Sequence, residues 1–478
     1  MTTLGLLIGG QAKAASGEGT FERRNPFTGE VATTAAAASV EDAKAAADAA
    51  GRAFATWSQT GPGERRGKLL KAAELMEARQ AEFIERMVNE TGATPGWAGF
   101  NVMVAAGMLR EAASLTTQIQ GDVIPSNVPD NLAMGIRVPC GVVVGIAPWN
   151  APIILGTRAV ATPLACGNTV ILKASEQCPA THHLIGEVLV EAGLGEGVVN
   201  VVTNAPHEAP QIVETLIAHP EVARINFTGS TGVGRIIAEK AAHHLKPVLL
   251  ELGGKAPFLV LDDADLDAAL DGAMVAKMRN AGEACTAANR FYVQSGIYDA
   301  FVKGLTGRMA ALRIGAGADA QTQVGPMITA KAVQKIDRLV ADALERGARA
   351  TTGGKPIDGK GFFYPPTVLE NVPVDALLAH EEIFGPVAPV FRFDTEDQAV
   401  QRANDTEYGL AAYVYSQDIT RAMRVGRQIE TGMLGINRGL MSDPAAPFGG
   451  VKQSGLGREG GVHGIMEFME PKYYAVNF

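Results

Sequence analysis

Cysteine is scarce in this sequence, and its four copies stand far apart, at Cys140, Cys166, Cys178 and Cys285. No Cys-x-x-Cys pair and no Cys/His spacing of a zinc site occurs, so the sequence predicts neither a disulfide framework nor a bound metal. Free thiols are typical of a reducing compartment, and a cytoplasmic location is therefore expected.

Clustered positive charge and long apolar runs are also missing. The net charge is −9 and no run of Lys and Arg occurs, which argues against nucleic acid or an acidic membrane surface as a partner. No apolar segment approaches the roughly 20 residues that a membrane-spanning helix needs. The apolar start Leu4–Ile8 lacks the basic leader of a signal peptide, so a first strand with a Gly9-Gly10 turn is predicted. A small molecule is the expected partner.

Glycine and apolar residues are abundant, with 55 glycines and 47% hydrophobic residues in a chain of 478. This length and composition predict a compact protein of two or three domains. Residues 40–120 are rich in Ala, Glu, Lys and Arg, with apolar residues at helical spacing, which indicates a layer of helices.

Short β-branched runs alternate with helical segments over residues 141–254 and again over 256–433. Continuous apolar strands between helices are typical of a parallel sheet covered on both faces, so the fold class is α/β. The first series predicts a doubly wound, Rossmann-type domain that binds a dinucleotide, and the second predicts a further α/β lobe across a cleft. The predicted strands are Val142–Ile146, Thr169–Lys173, Val198–Val202, Arg224–Phe227, Pro247–Glu251, Pro257–Leu261, Arg290–Val293 and Val387–Phe391.

Cys285 lies in a stretch of small residues, Asn280–Arg290, which leaves room for a substrate beside the thiol. A thiol in such a place is able to act as a covalent nucleophile. The alternative is that Cys285 is a small buried hydrophobic residue, which is the commoner role of an isolated cysteine.

Two segments of the first series have features of a nucleotide site. Phe227–Arg235 ends a strand and opens a helix around Gly229 and Ser230, where free backbone N–H groups could meet a pyrophosphate. Because the GxGxxG pattern is missing, an ordinary glycine-rich turn is the alternative. Lys173 and Glu176 leave a strand at its carboxyl end and could hold ribose hydroxyls, or else form a solvated charged loop.

Glu251 places a carboxylate at the end of an apolar strand, just before Lys255. A charge at such a position needs a use or a partner. One interpretation is a general base, and the other is a surface salt bridge with Lys255.

Seven motifs stand in order along the chain: Pro148-Trp149-Asn150, Lys173-x-x-Glu176, Phe227-Thr228-Gly229-Ser230, Glu251-Leu252-Gly253-Gly254-Lys255, Gly282-x-x-Cys285, Glu381-Glu382-Ile383-Phe384-Gly385-Pro386 and Pro447-Phe448-Gly449-Gly450. Together they closely resemble the aldehyde dehydrogenase superfamily, and the resemblance runs from about Leu7 to the end of the chain.

The resemblance implies a division of the chain. Residues 1–121 and 143–252 would form an NAD(P)-binding domain, and residues 253–433 a catalytic domain. Residues 122–142 and 464–478 would form a small β oligomerisation arm, and residues 434–463 would close the substrate site. A hairpin around Asn131–Val138 and the last strand are expected to pair across a dimer, so a homodimer or homotetramer is predicted.

The resemblance also implies oxidation of an aldehyde to a carboxylic acid through a thiohemiacetal and a thioester on Cys285. The Asn150 side-chain amide and the Cys285 backbone N–H would hold the oxyanion, and Glu251 would activate the water that hydrolyses the thioester. Glu459 matches a position associated with the proton path or with ordering Glu251. A binding or structural protein on the same scaffold is the alternative, against which the joint presence of Cys285, Glu251 and Asn150 argues.

The implied cofactor contacts fall into two groups. Those on the adenosine and phosphate side are Trp149, Lys173, Glu176, Gly229 and Ser230, and those on the nicotinamide side are Glu382 at the ribose and Phe384 against the ring. NAD is the preferred cofactor, because a carboxylate at Glu176 accepts hydrogen bonds from ribose hydroxyls and repels a 2′-phosphate. NADP stays possible, since Lys173 and Ser175 could accept a phosphate if Glu176 swings away.

Substrate choice is divided, because different segments resemble different subfamilies. Trp97–Val102, Arg110–Ser114 and Ala147–Pro152 resemble vanillin and salicylaldehyde dehydrogenases, whereas Arg279–Gly282, Ala288–Arg290 and Ser454–Gly460 resemble succinate-semialdehyde dehydrogenases. An aromatic aldehyde of the vanillin, salicylaldehyde or benzaldehyde type is the leading prediction, because the helical segment around Trp97–Leu115 and the loop after Asn150 should line the substrate tunnel.

Succinate semialdehyde or a similar carboxylate semialdehyde is the alternative substrate. Arg158 and Arg279 match positions that bind the substrate carboxylate in the second subfamily, with Ser442 as a further contact, and a guanidinium holds a carboxylate bidentately. Both arginines could equally be structural ion-pair residues. Many succinate-semialdehyde dehydrogenases carry a second cysteine two positions after the nucleophile, where this chain has Ala287, so no redox disulfide can form there.

Overall fold

A computed structural model describes residues 3–478 of the chain. Its α-helices are α1 (Val40–Trp57), α2 (Pro62–Ala78), α3 (Gln80–Thr91), α4 (Pro95–Leu115), α5 (Pro152–Ala165), α6 (Pro179–Glu191), α7 (Ala209–Ala218), α8 (Thr231–His243), α9 (Leu266–Met278), α10 (Tyr298–Ala310), α11 (Ala330–Glu345), α12 (Leu377–His380), α13 (Glu396–Asn404), α14 (Ile419–Gly426) and α15 (Gly461–Glu467).

The strands are β1 (Leu6–Ile8), β2 (Gln11–Lys13), β3 (Thr20–Arg24), β4 (Val31–Ala36), β5 (Asp122–Ile124), β6 (Asn131–Pro139), β7 (Val142–Ile146), β8 (Thr169–Lys173), β9 (Val199–Val202), β10 (Val222–Thr228), β11 (Val248–Glu251), β12 (Ala256–Val260), β13 (Ala288–Gln294), β14 (Arg349–Thr352), β15 (Thr367–Glu370), β16 (Val387–Phe393), β17 (Tyr408–Gly409), β18 (Ala411–Tyr415), β19 (Met433–Ile436), β20 (Val451–Lys452), β21 (Gly455–Leu456) and β22 (Met469–Asn477).

The first large sheet has eight strands in the order β2-β1-β9-β8-β7-β10-β11-β21. Its central strands, from β9 to β11, are parallel, and the β1–β2 hairpin and β21 flank them antiparallel. The chain lays down β7 first, adds β8 and β9 on one side, and then β10 and β11 on the other. Ligands of open α/β sheets bind outside the carboxyl ends of the strands at such a switch point. The predicted doubly wound sheet and its opening hairpin are confirmed.

The second large sheet has seven strands in the order β14-β15-β16-β13-β12-β18-β19. Every neighbouring pair is parallel except β14 and β15. Its central strands β12, β13 and β18 are almost entirely buried, as expected for a parallel sheet that is covered on both faces. The predicted α/β fold class is thereby confirmed, and the expected strands of the second series are β12, β13 and β16. The division into domains by residue range stays a prediction.

The predicted helical layer over residues 40–120 is formed by α1 to α4. α1 begins at a capping box, in which the Ser39 side chain accepts from the Asp42 backbone and the Asp42 side chain accepts from the Ser39 backbone. α4 begins at Thr94, whose side chain accepts from the Trp97 backbone, with Pro95 at the first helical position. These caps set the start of α4 and therefore the position of Trp97 next to the first sheet.

The carboxyl edge of the first sheet faces the amino edge of the second. The chain passes from β11 to β12 through only four residues, Leu252–Lys255. Residues that follow β7, β10 and β11 share one cavity with residues that precede β12, β13 and β16. The cleft predicted between the two series is therefore formed by loops at strand ends, where side chains are free of the sheet.

A third sheet has the order β22-β6-β5. The Asn131–Val138 segment and the last strand were expected to pair across a dimer. As a contact of these two segments with each other, that expectation is wrong. β22 pairs with β6 within the chain, in a nine-residue antiparallel register from Met469 opposite Pro139 to Asn477 opposite Asn131. Because this internal pairing satisfies one edge of β22, only its outer edge is left for another copy.

Among the helices of residues 3–478, none combines the length and the apolar character needed to cross a membrane.

Candidate active site

The cavity between the two large sheets has a volume of about 870 Å³, including its open mouth. It is lined by Pro148, Trp149, Asn150, Leu155, Thr228, Gly229, Ser230, Glu251, Leu252, Gly253, Glu283, Cys285, Ala332, Lys335, Glu382, Ile383 and Phe384. Predicted site residues from five separate motifs therefore meet at one place. Lys173, Glu176, Arg158, Arg279 and Ser442 are not part of this lining.

Cys285 follows a backbone turn in the left-handed region. Asn280, Ala281 and Gly282 have φ values of 46°, 53° and 79°, a conformation that costs side chains other than glycine strain energy. A Cβ atom on Gly282 would lie 2.2 Å from the Gly385 carbonyl oxygen, so only glycine fits there. The turn ends just before Cys285 and leaves its thiol partly exposed on the cavity.

Asn150 is buried, and both its side chain and its backbone form hydrogen bonds. Its side-chain Nδ2 donates to the Glu283 carbonyl oxygen at 3.2 Å. Its own carbonyl oxygen accepts from the Trp97 indole Nε1 at 3.1 Å and from Asn280 Nδ2 at 3.0 Å. These bonds join the loop after β7, the helix α4 and the turn before Cys285, so the Asn150 amide has a fixed position beside the thiol.

Glu251 is 2% exposed and lines the same cavity. Burial, reinforced by the carboxyl of Glu459 and opposed by Arg158, raises the pKa of Glu251 to about 8. Lys255 is also 2% exposed and donates to the Leu378 carbonyl oxygen at 2.6 Å. The alternative of a surface salt bridge between Glu251 and Lys255 is therefore wrong, because both side chains are buried and Lys255 points to another partner.

The Cys285 thiol lies next to the Glu251 carboxyl. Burial raises the pKa of this thiol well above its usual value, the negative charge of Glu251 raises it further, and Arg158 acts in the opposite direction. A thiol in this environment stays protonated near neutral pH unless a base accepts its proton. Glu251 is the adjacent group with a pKa suited to that transfer.

Arg158 is buried on α5 and is already paired. Its Nη1 lies 3.5 Å from Glu459 Oε2, and its guanidinium carbon lies 4.1 Å above the centre of the Phe448 ring. It lines a second cavity of about 380 Å³, together with Glu111 of α4 and Asp443. These contacts agree with the interpretation of Arg158 as a structural ion-pair residue.

Arg279 and Ser442, the other two predicted substrate contacts, lie apart from the thiol cavity. Arg279 Nη2 donates to the Thr286 hydroxyl at 3.0 Å, and the Thr286 carbonyl oxygen accepts from the Tyr413 hydroxyl at 2.8 Å. Ser442 is half-buried in the loop between β19 and β20. Arg279 thus stabilises the Cys285 loop at Thr286, on the side that leads into β13.

The start of α8 forms the part of the cavity suited to an anion. α8 begins after Ser230, whose hydroxyl accepts from the Val233 backbone N–H, and the first backbone N–H groups of a helix have no partner within it. Gly253 keeps the facing wall open, since a Cβ atom there would lie 3.0 Å from Glu382 Oε2 and 3.4 Å from the Thr231 hydroxyl. Such a cradle fits the pyrophosphate of a dinucleotide.

Two aromatic rings and a carboxylate form the opposite part of the cavity. The rings of Trp149 and Phe384 lie edge to face with centroids 5.9 Å apart. Phe384 has a φ of 53°, which is strained for a bulky residue and fixes the direction of its ring. Glu382 Oε1 accepts from the Gly254 backbone N–H at 3.0 Å, so its second oxygen can face a ligand. A planar ring and a ribose fit this part.

Lys173 and Glu176 lie at the carboxyl end of β8, away from the cavity mouth. They form an ion pair, and Lys173 is only 4% exposed. Asn204 Nδ2 also donates to Glu176 Oε1, at 3.0 Å. The alternative of a solvated charged loop is therefore wrong, because the pair is largely buried and hydrogen-bonded.

Sequence reasoning missed three side chains of this region. Glu283 lines the cavity, is 3% exposed and accepts from the Ile328 backbone at 3.2 Å; burial raises its pKa to about 8. Lys335 lines the cavity from α11 and Asn204 contacts Glu176. Glu283 stands between Gly282 and Cys285 and could have been noticed there. Lys335 and Asn204 lie in an ordinary amphipathic helix and an ordinary loop, which carry no local signal.

The comparisons with known proteins agree with this geometry. The family model "Aldehyde dehydrogenase family" matches residues 13–474. A vanillin dehydrogenase of Pseudomonas sp. (strain HR199 / DSM 7063) is 54% identical over 472 residues, which cover 98% of this chain and 97% of that protein. The NADP(+)-dependent succinate-semialdehyde dehydrogenase of Escherichia coli (strain K12) is 42% identical over 470 residues, covering 98% and 97%.

A solved structure gives the same picture. The crystal structure of a salicylaldehyde dehydrogenase from Pseudomonas putida G7, complexed with salicylaldehyde, superposes with a TM-score of 0.97 at 43% identity. The superposition covers 100% of this chain and 99% of that one.

Proposed function

We infer, from the fact that this chain belongs to the aldehyde dehydrogenase family, that it oxidises an aromatic aldehyde to its carboxylic acid, with Cys285 as the nucleophile. The chain is an NAD(P)-dependent aldehyde dehydrogenase. The aromatic substrate, the choice of NAD and the role of each residue are proposals, and each is argued below from its contacts.

Cys285 attacks the aldehyde carbonyl, and its thiol proton passes to the adjacent Glu251 carboxylate. The carbon–sulfur bond forms as the carbonyl π pair moves to oxygen. The Asn150 Nδ2 and the Cys285 backbone N–H are the donors proposed to hold that oxygen, and the bonds that fix Asn150 support this role. The product of this step is a thiohemiacetal on Cys285.

A bound nicotinamide dinucleotide supplies the hydride acceptor that oxidises the carbon to the thioester level. The α8 N-terminus with Gly229 and Ser230 would hold its pyrophosphate, and Glu382 its nicotinamide ribose. Phe384 would contact its nicotinamide ring. Trp149 was expected on the adenosine and phosphate side, but because its ring lies against Phe384 we propose that it contacts the nicotinamide side instead. Lys335, which lines the same wall, would add a positive charge near the ribose.

Glu251 acts again in hydrolysis of the thioester. Glu251 first loses the thiol proton to solvent. Its carboxylate then removes a proton from water, the hydroxide oxygen bonds to the acyl carbon, and the carbon–sulfur bond breaks to return Cys285 as a thiolate, which takes the proton now held by Glu251. Glu459 and Arg158 lie behind Glu251, and their opposed effects on its pKa support a role in setting how readily it ionises.

Charge favours an aromatic aldehyde over a carboxylate semialdehyde. The observation that carries this choice is the ion pair of Arg158 with Glu459, together with Glu111 and Asp443 on the wall of the cavity that Arg158 lines. A substrate carboxylate there would compete with Glu459 for Arg158 and would meet two further acidic side chains. Conversely, Trp97 stacks on Phe100 at 5.4 Å and bonds to Asn150, which puts an aromatic surface beside the reacting centre.

An aldehyde panel tests the proposal directly. We expect kcat/KM for vanillin, salicylaldehyde or benzaldehyde to exceed kcat/KM for succinate semialdehyde and glutarate semialdehyde by at least about tenfold. The reason is that a semialdehyde would bury its carboxylate without a partner of its own, whereas an aromatic aldehyde carries no such charge. Each substrate is assayed with NAD and with NADP. A higher kcat/KM for either semialdehyde would contradict the aromatic assignment, and Arg279→Ala would then be expected to lose the semialdehyde preferentially.

NAD is the cofactor favoured by the contacts of Glu176. Its carboxylate sits at the carboxyl end of β8 and would accept from the adenosine ribose hydroxyls, whereas a 2′-phosphate would meet its negative charge. Because the Escherichia coli relative is named as NADP(+)-dependent, the side-by-side assay is the measurement that decides.

Assembly and location are proposed on separate grounds. The outer edge of β22 is open and the strand carries exposed Tyr473 and Tyr474, so a second copy is proposed to cover it in a homodimer or homotetramer. The four cysteines form no disulfide, which supports the proposed cytoplasmic location.

A further inference from the structure

We propose that Asn204 is a specificity residue, which makes the cofactor site select NAD over NADP by holding the Glu176 carboxylate in place. The inference rests on the proposed role of Glu176 at the adenosine ribose. It concerns a residue whose own segment, the loop after β9, carries none of the cofactor motifs.

Asn204 and Lys173 hold the same oxygen of Glu176. Lys173 Nζ and Asn204 Nδ2 both donate to Oε1, the second of them at 3.0 Å. Within the described residues, Oε2 takes part in no hydrogen bond. One carboxylate oxygen is therefore anchored from two sides, and the other is presented to a ligand.

The Asn204 amide has a defined orientation. It is completely buried, and its Nδ2 donates to the Ala205 carbonyl oxygen at 2.8 Å as well as to Glu176. Both partners are acceptors only, so the nitrogen and not the oxygen must face them. Its Oδ1 has no partner among residues 3–478, so nothing else competes to turn the group.

The anchoring matters for a 2′-phosphate. To admit that group, Glu176 would have to turn away and release Lys173 to the phosphate. Turning away would leave one of the two N–H groups of the Asn204 amide unpaired, because the other is bound to the Ala205 carbonyl oxygen, and an unpaired buried donor is strongly unfavourable. Lys173 alone could exchange its carboxylate partner for a phosphate. Asn204 makes this exchange unfavourable, because it would lose its hydrogen-bond acceptor on Glu176. Asn204 therefore adds to discrimination beyond the charge of Glu176.

Ligand binding without aldehyde tests the proposal. Asn204→Ala is expected to lower the ratio of Kd for NADP to Kd for NAD by about tenfold, the effect of one hydrogen bond to a charged group. The same shift is expected for the pair adenosine 2′,5′-bisphosphate and 5′-AMP, measured by calorimetry. If the alanine variant does not fold, Asn204→Ser, which is too short to reach Glu176, is measured instead.

A matched control separates anchoring from loss of packing. Asn200 is another completely buried asparagine, on β9, and it donates to the Gly197 carbonyl oxygen and not to Glu176. Asn200→Ala is expected to lower the melting temperature while leaving the Kd ratio unchanged. If Asn200→Ala lowered the Kd ratio as much as Asn204→Ala, the proposal would be overturned. The fall would then come from general loosening of this end of the sheet and not from loss of the bond to Glu176.

A double-mutant comparison shows whether Asn204 acts through Glu176. In a Glu176→Ala background, which removes the acceptor of Asn204, Asn204→Ala should not change the Kd ratio further. If Glu176→Ala alone leaves the ratio unchanged, the ribose role in the proposed function is wrong, and the anchoring role is wrong with it. If Glu176→Ala lowers the ratio and Asn204→Ala does not, only the role of Asn204 is wrong.

Discussion

Glu251 ends an apolar strand and is 2% exposed, so its negative charge is largely removed from bulk solvent. That burial raises its pKa to about 8, so near neutral pH a large share of the protein carries it protonated. A base must be deprotonated to act, and the thiol beside it has a raised pKa as well. At the residue scale, the reaction is therefore governed by how readily Glu251 loses its proton.

The rate of aldehyde oxidation should rise with pH. Below pH about 8, kcat is expected to increase about tenfold per pH unit, because the fraction of deprotonated Glu251 increases by that factor, and to level off above it. Glu251→Gln should reduce kcat by about 10² or more, the usual contribution of a general base. Steady-state rates between pH 6 and 10 measure both effects.

Glu283 provides the control for this prediction, because burial raises its pKa to about 8 too and it lines the same cavity. Glu283→Gln should keep the rise of kcat with pH, whereas Glu251→Gln should abolish it. If the inflection of the pH profile remained in Glu251→Gln and disappeared in Glu283→Gln, the titrating group would be Glu283, and the role given to Glu251 would be wrong.

At the scale of elements, α6 begins with a cap that comes from another helix. Cys178 at its N-cap makes no side-chain capping bond to the first backbone N–H groups of the helix. Instead Glu90 of α3 accepts from the Ala180 backbone at 2.8 Å and from the Thr181 backbone at 2.9 Å. A carboxylate at a helix N-terminus also interacts favourably with the helix dipole. These bonds hold the start of α6 against α3.

Removal of this cap should destabilise the protein. Glu90→Ala leaves the two buried N–H groups of α6 unpaired, and the free energy of unfolding is expected to fall by about 3 kcal/mol or more. Chemical denaturation measures the change. Glu85→Ala, on the exposed face of the same helix, is the control and should change the free energy by no more than about 0.5 kcal/mol. Equal effects of the two variants would contradict the capping role.

At the scale of the whole molecule, the cavity exists because two sheets meet edge to edge. The four residues between β11 and β12 are too few to let the sheets separate widely. The third sheet extends the chain's last strand along β6 and leaves an open edge with exposed aromatic residues. An open edge of this kind pairs readily with another strand.

Light scattering should therefore report a homo-oligomer. Tyr473 is 64% exposed on β22, and Tyr473→Asp is expected to lower the measured mass, because a charge on an edge strand opposes pairing. Leu245 is 92% exposed at the end of α8 and lies outside the arm, so Leu245→Asp should leave the mass unchanged. A monomeric wild-type protein would contradict the proposed assembly.

The alternation of apolar strands with helices, and with it the two parallel sheets, followed from the sequence alone, because burial on both faces leaves a pattern in the residues themselves. The resemblance of seven ordered motifs to the aldehyde dehydrogenase superfamily implied that Asn150, Glu251, Glu382 and Cys285 act at one site. Such information is local, since each motif carries its own strand or turn.

The surroundings of those residues became known only from the fold. The burial of Glu251, the pairing of Arg158 with Glu459 and the bond from Asn204 to Glu176 join segments that lie far apart in the chain. The same holds for the pairing of β22 with β6 inside one chain, where a contact between copies was expected. An arginine looks alike in the sequence whether it is free or neutralised, because its partner is chosen by packing and not by its neighbours.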